Sequence, residues 1–308
     1  MNDALLPGLV VGAHGHYNAV ECRDGLIHRC TSRSKLGPLV CGDRVQWQAD
    51  GHGGGVVVTL EPRRTLLQRP DARGRLKPIA ANVDRLVVVV AAPNTELTAR
   101  GYPAVDTYIV DRFLVAAYAT AIDALVLINK ADRLDASARP SACAIADAYR
   151  SLGHDALLTS TLSEEGLAEL AAQLAGRTSV VVGPSGVGKS SLVDYFLPDR
   201  TLRVGAVAAT TGLGRHTTTA TALYHLPHGG DLIDSPGVRE FGLWDLEPAR
   251  VAAAFSEMRS HAGECRFNNC RHLSEPGCAV RTALKAGTIS ATRYQNYRRI
   301  LESLGAVR

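Results

Sequence analysis

The sequence predicts a multi-domain protein: an N-terminal β-barrel, a central α/β domain and a C-terminal α-helical domain built around a cysteine–histidine cluster. Three observations carry that prediction. Short β-rich runs fill the N-terminal part, strand-like and helix-like segments alternate through the middle, and the C-terminal part turns helical while gathering three of the seven cysteines. Boundaries are expected at residues 1–75, 76–245 and 246–308. Hydrophobic residues at 46% and charged ones at 21% exclude a mainly disordered or fibrous chain. The longest apolar runs, 86–92 and 125–128, fall short of the ~18 residues of a membrane helix. The N-terminus lacks the basic region and apolar core of a secretory signal. A cytoplasmic chain with reduced thiols and no membrane partner is therefore expected.

The barrel is read from runs at 9–13, 25–30, 44–48 and 55–60, separated by Gly, Asp and Pro. Five or so short strands in that length fit an OB-like barrel, and other small β-barrels fit as well. Residues 63–78 are polar, basic and punctuated by Pro and Gly, and read as a linker or mobile loop. Next, 83–91 is a β-branched run of the kind buried on both faces of a parallel sheet. Helices are expected at 105–119, 141–152, 166–174 and from Lys189, and strands at 123–129, 157–160, 178–182 and 231–234. From about Pro248 the pattern is helical. In the stretch 289–304, Ile289, Tyr294, Tyr297, Ile300, Leu301 and Leu304 recur at helical spacing. Arg293, Arg298 and Arg299 among them are expected on a solvated basic face, RNA contact being the sharper alternative.

Charge is unevenly spread: residues 1–78, 79–244 and 245–308 carry net charges of +4, −4 and +4. Basic flanks suit contact with a polyanion. The excess of Arg over Lys also follows from a GC-rich genome, so charge alone decides nothing.

Chemistry enters with Gly183, Pro184, Ser185, Gly186, Val187, Gly188, Lys189 and Ser190, followed by Ser191. Between a β-branched strand and a helix this is a complete phosphate-binding loop. Its backbone N–H groups and the helix N-terminus favour phosphate oxygens. Lys189 should reach the β- and γ-phosphates and the Ser190 hydroxyl should ligate Mg²⁺. Asn129, Lys130, Ala131 and Asp132 end the strand at 123–129. A carboxylate there accepts from both N1–H and the 2-amino group of guanine, donors that adenine lacks, and would go unpaired against adenine. Ser160, ending the next strand, is placed to support the base through its backbone amide. Asp234, Ser235, Pro236 and Gly237 fit a loop whose Asp holds the Mg²⁺ shell and whose Gly237 amide senses the γ-phosphate. Gly214, Arg215, His216, Thr217, Thr218 and Thr219 lie where an effector loop should be. One of the three threonines is expected to complete the metal shell, with Thr218 as the candidate. The phosphate loop alone would also serve a small-molecule kinase; the guanine-type turn disfavours that.

The order is permuted, because the base-specifying motif normally follows the phosphate loop and here precedes it. Circular permutation explains this without altering the site. The position after Gly237, where many GTPases place a water-orienting Gln, is Val238, which makes no side-chain hydrogen bond. The isolated protein should therefore be slow. His216 is an internal candidate for the missing group, though a solvated loop histidine fits equally; completion by a docked partner is favoured.

Cys265, Cys270, His272 and Cys278 supply the ligand set of a closed structural zinc site, one Zn²⁺ per chain, with no open position for catalysis. Cys22, Cys30, Cys41 and Cys143 are far apart and read as free thiols.

These features span essentially the whole chain and together resemble the bacterial small ribosomal subunit-dependent GTPases of the RsgA family. The resemblance implies an OB fold for the barrel and a circularly permuted P-loop GTPase at the centre. It also implies GTP/GDP and Mg²⁺ as ligands, and a monomeric factor that binds the small (30S) subunit and 16S rRNA late in maturation, with no DNA partner. It carries the guanine role onto Asn129 to Asp132, the phosphate role onto Gly183 to Ser191, and zinc onto Cys265, Cys270, His272 and Cys278. The rival reading is a GTP-regulated RNA-binding scaffold in which hydrolysis is incidental.

Overall fold

The computed structural model describes residues 4–14, 17–71, 73–93, 105–198, 221–234 and 246–305. Among them the strands are β1 (Leu6–His14), β2 (Tyr17–Glu21), β3 (Ile27–Ser32), β4 (Arg44–Ala49), β5 (Gly54–Leu60), β6 (Leu66–Pro70), β7 (Leu76–Ala81), β8 (Arg85–Ala91), β9 (Asp123–Asn129), β10 (Asp155–Thr159), β11 (Thr178–Val182), β12 (Thr221–His225) and β13 (Asp231–Asp234). The α-helices are α1 (Thr107–Thr120), α2 (Arg139–Ser151), α3 (Leu167–Leu174), α4 (Lys189–Phe196), α5 (Pro248–Ala254), α6 (Ser256–Ala262), α7 (Ala279–Lys285) and α8 (Ala291–Ser303). They fall into two compact units, Met1–Val87 with Leu167–Phe241, and Val88–Gly166 with Gly242–Arg308.

In the first unit, β1 pairs antiparallel with β2 and β4, β2 with β3, β4 with β5, and β3 runs parallel to β5. That circuit closes a five-stranded barrel and removes its edges, as expected of an OB-like fold. Val10, Val20, Cys30, Val45, Trp47 and Val57 fill it. Gly55 is required by the packing: a Cβ there would lie 2.5 Å from the Trp47 ring and 2.3 Å from the Gln48 carbonyl. Asp43, fully buried, accepts from Arg63 Nε at 2.7 Å and Nη2 at 2.8 Å, and from the Val40 amide at 2.8 Å.

Residues 63–78 correct the sequence reading. Instead of a linker they enter a β6–β7 hairpin. The polar residues belong to its tip, where Asp71 accepts from the Arg73 and Arg75 amides at 2.8 and 3.0 Å. Such an Asx turn closes a hairpin. A register shift at Gln68 seats Pro78, which has no N–H to offer. Beyond the hairpin, β11 runs parallel to β13, which pairs antiparallel with β12. Neither β2 nor β12 was expected, both being short and mixed in character.

In the second unit β10 runs parallel to β9 with Thr159 opposite Asn129. Val110 and Leu114 of α1 and Ala146 and Tyr149 of α2 pack with Val126 and Ile128 of β9. The C-terminal helices belong to the same unit. Here Arg293 departs from expectation: it is 8% exposed rather than solvated. Its guanidinium pairs with Asp111 of α1 and, Nε to Oε1 at 2.8 Å, with Glu257 of α6. Asp111 also accepts from Tyr149 Oη at 2.8 Å and Asn296 Nδ2 at 2.7 Å. Each charge in this buried cluster is met, as burial demands. Arg298 and Arg299 remain on the exposed face. Among the described residues no helix is long and apolar enough to cross a membrane.

Candidate functional site

The phosphate loop lies where the strand–loop–helix pattern puts it, between β11 and α4. Burial of Val180 and Val182 anchors the strand, and Leu192, Val193 and Phe196 anchor the helix. Gly188 caps α4 with φ of +97°, a left-handed conformation that suits glycine and turns the chain into the helix. Lys189, 9% exposed, donates from Nζ to the Gly183 carbonyl at 2.7 Å and to the Pro184 carbonyl. The ammonium is thus held under the loop. Ser185, Gly186, Ser190 and Ser191 are exposed along it, and Val187 is buried beneath. Asp234 ends β13, half-buried, with its backbone opposite Ala222. His216, Thr217, Thr218, Thr219, Gly237 and Val238 lie outside the described residues.

The guanine-type turn sits in the second unit. Asn129 is 2% exposed; its carbonyl accepts from the Ala92 amide at 2.6 Å and its Oδ1 from Thr159 Oγ1 at 3.1 Å. Lys130 takes a left-handed φ of +64°, and a 3₁₀ turn over Ala131–Arg133 follows. This lifts the Asp132 carboxylate into solvent. Ser160, fully buried, donates its hydroxyl to Asp132 Oδ1 at 2.6 Å. The same oxygen accepts the Leu162 and Ser163 amides at 3.1 and 3.2 Å, which aims its single proton at Asp132. The Ser160 amide instead donates to the Glu165 carbonyl at 3.0 Å. The hydroxyl, rather than the backbone amide expected from sequence, is therefore what Ser160 turns toward the site. Thr159 was missed as well; its only sequence signal is a hydroxyl residue ending the strand beside β9.

The cysteine–histidine cluster converges. One donor atom from each of Cys265, Cys270, His272 and Cys278 lies within 4.8 Å of all the others. Cys265 Sγ is 3.9 Å from Cys278 Sγ, and His272 Nδ1 is 3.5 and 3.4 Å from those two sulfurs. A tetrahedron with Zn–S of ~2.3 Å and Zn–N of ~2.0 Å has edges of about 3.8 and 3.5 Å. The donors fit Zn²⁺ and leave no open coordination position. Burial, then the neighbouring Cys278 and Cys265 thiols, push Cys270 up to about 12, a crowding of like donors that a divalent cation relieves.

Surrounding groups hold that loop. Tyr294 Oη donates to the His272 carbonyl at 2.6 Å and Tyr297 Oη to the Arg271 carbonyl at 2.7 Å. The Glu275 carboxylate accepts the Arg271, Leu273 and Ser274 amides at 2.8, 2.8 and 3.0 Å. Although burial acts the other way, these donors hold its carboxyl below the usual range. Cys278 caps α7.

A phosphate loop, a guanine-type turn that precedes it in the chain, and a strand ending in the Asp234 motif define a circularly permuted P-loop GTPase. Residues 60–244 match the family model described as RsgA GTPase. The Small ribosomal subunit biogenesis GTPase RsgA of Dickeya dadantii is 45% identical over 307 residues, spanning 98% of this chain and 85% of that one. Its counterpart in Chromohalobacter salexigens is 49% identical over 277 residues, spanning 90% and 78%. Two solved structures share the fold. YjeQ from Thermotoga maritima has a TM-score of 0.78 at 31% identity, covering 99% of this chain and 100% of that one. YloQ, described as a circularly permuted GTPase, has a TM-score of 0.76 at 29% identity, covering 98% and 96%. The chain belongs to the RsgA GTPase family and is a GTP hydrolase.

Proposed function

We propose that this protein binds the small (30S) ribosomal subunit and its 16S rRNA during late maturation, hydrolyses GTP there and then leaves. The observation that carries the nucleotide chemistry is the Ser160 hydroxyl aimed at Asp132 at 2.6 Å, which readies a carboxylate for guanine. The relatives' name, small ribosomal subunit biogenesis GTPase, supports the partner, and the basic segments flanking an acidic middle suit RNA phosphates. We assign the barrel to residues 1–75, the GTPase module to 76–245 and the zinc-bearing helical module to 246–308. The factor is read as a cytoplasmic monomer without a DNA or membrane partner.

In this reading Asp132 reads guanine, with Asn129, Lys130 and Ala131 shaping its turn. The amides of residues 183–191 and Lys189 hold the phosphates. Ser190, Asp234 and one of Thr217–Thr219, with Thr218 as candidate, would hold Mg²⁺, which would neutralise charge on the phosphates. Gly237 senses the γ-phosphate. Val238 leaves the water without an orienting side chain, so His216 or the docked subunit supplies what is missing.

Asp132→Asn tests the base assignment. The amide replaces half of an acceptor pair with a donor, and GTP affinity should fall about 10- to 100-fold. Xanthosine triphosphate, carrying a carbonyl in place of the 2-amino group, should compete better in a nucleotide titration. Unchanged selectivity would refute the assignment. For the partner, co-sedimentation with purified particles is expected to retain the protein on small subunits with a non-hydrolysable GTP analogue, and to release it with GDP. Absence from the small-subunit pellet in both states would overturn the partner reading.

A further inference from the structure

Within the first unit, the barrel is fastened to the central strands at a point that the nucleotide chemistry does not use. β1 extends out of the barrel to pair with the start of β12, Gly12 opposite Ala222 and Ala13 opposite Thr221. The Cys41 thiol donates to the Thr221 carbonyl at 3.2 Å. At the far end of β12, His225 stands between two carboxylates. Its Nδ1 is 2.6 Å from Asp231 Oδ1 and its Nε2 is 2.5 Å from Glu21 Oε2. Glu21 ends β2 of the barrel, and Asp231 opens β13. Thr178, opening β11, lies with its hydroxyl 3.4 Å from the other Asp231 oxygen.

Ionised carboxylates only accept, and a neutral imidazole has one N–H, so two such contacts together call for the imidazolium. The hydrogen bond to Asp231, then that to Glu21, raise His225 to about 9 against partial desolvation. Because the folded value lies above the ordinary one, the stability that the imidazolium contributes is fully present below about 6.5, the unperturbed histidine value. That contribution, and the charged clasp itself, are lost as pH rises through about 9. Among the described residues, the charged groups paired with the ring are Glu21 from β2 and Asp231 from β13. With the His225 side chain 37% exposed, the pair energies are screened. The geometry therefore speaks for alignment of three strands more than for bulk stability.

Those strands are placed to matter. β12 begins two residues after Thr219 of the effector-loop sequence, and β13 ends at Asp234. We propose that the Glu21–His225–Asp231 clasp couples the barrel to the strand pair flanking both nucleotide-sensing segments, so that a partner docked on the barrel biases those segments. The idea rests on the partner reading above, and deepens it by naming the route of activation.

Coupling is reciprocal, so nucleotide state must also act back on the clasp. The partner-free readout is the NMR titration of the His225 imidazole in protein bound to GDP and to a non-hydrolysable GTP analogue. A displaced titration between the two states is expected; identical titrations overturn the proposal. The second readout compares His225→Gln and Glu21→Gln in hydrolysis alone and with purified small subunits. Basal turnover should be unchanged, and stimulated turnover should fall about 5-fold or more in each, the lower end of typical coupling. The double variant should fall no further than either single one, because both break the same link. Full stimulation in both single variants would overturn the clasp. Wild-type protein that small subunits fail to stimulate at all would defeat the activating-partner reading by itself, and the titration would then decide the clasp.

Discussion

Lys189→Ala is expected to lower GTP turnover by about 10²–10³-fold, the usual cost of deleting one preorganised electrostatic group. The lysine is the one cation that the loop itself supplies, held by the Gly183 and Pro184 carbonyls beneath the residues that line it. Its substitution should leave the fold in place, because alanine suits the first turn of a helix and α4 is anchored by Leu192, Val193 and Phe196. The measurement pairs multiple-turnover hydrolysis with thermal unfolding. A folded variant that still hydrolyses GTP at the wild-type rate would remove the phosphate loop from the mechanism.

Removing the metal should have the largest effect on stability. Structural zinc in small modules contributes on the order of 10–16 kcal/mol of apparent binding free energy that is also folding free energy. Metal analysis of protein purified without added zinc should return about one zinc per chain, as four closed protein ligands imply. Chelation or Cys265→Ser should unfold the loop from Cys265 to Cys278. Loss should spread to α8, because Tyr294 and Tyr297 hold the carbonyls of His272 and Arg271. Circular dichroism melting and amide exchange of α8 report both steps. Protein without metal, or Cys278→Ser with native stability, would mark the cluster as ordinary buried thiols.

How far the sequence speaks depends on whether a residue's partners are local. The strands Asp123–Asn129, Thr178–Val182 and Asp231–Asp234 coincide with their expected bounds, since apolar, β-branched-rich runs between polar turns leave few alternatives. The hairpin at residues 66–81 was illegible because its tip composition matches a loop; only the pairing of Leu66 with Ala81 and Leu67 with Ala80 distinguishes it. Arg293 was misplaced for a related reason. Its spacing matches a solvated face, while the acid that buries it, Asp111, lies 182 residues away in the chain.

The site shows the same division. Motif spacing marked out the loop at 183–190, the turn at 129–132 and the Cys and His residues that converge at 265–278, because each is contiguous or nearly so. What it left out is what crosses between segments: Thr159 bonded to Asn129, the Ser160 hydroxyl on Asp132, and the His225 contacts to Glu21 and Asp231. Permutation separates the motifs in sequence without changing their individual local chemistry.

A docked small subunit is proposed to complete an active site whose own chain places Val238 where an orienting glutamine is common. The direct measurement is multiple-turnover GTP hydrolysis by the purified protein alone, with small subunits and with large subunits. Small subunits should raise the rate by orders of magnitude, since a group supplied from outside is worth ~10³–10⁵ in such reactions, and large subunits should not. His216→Ala should lose mainly the stimulated rate. Turnover by the free protein as fast as with small subunits would contradict the account and favour a GTP-regulated scaffold.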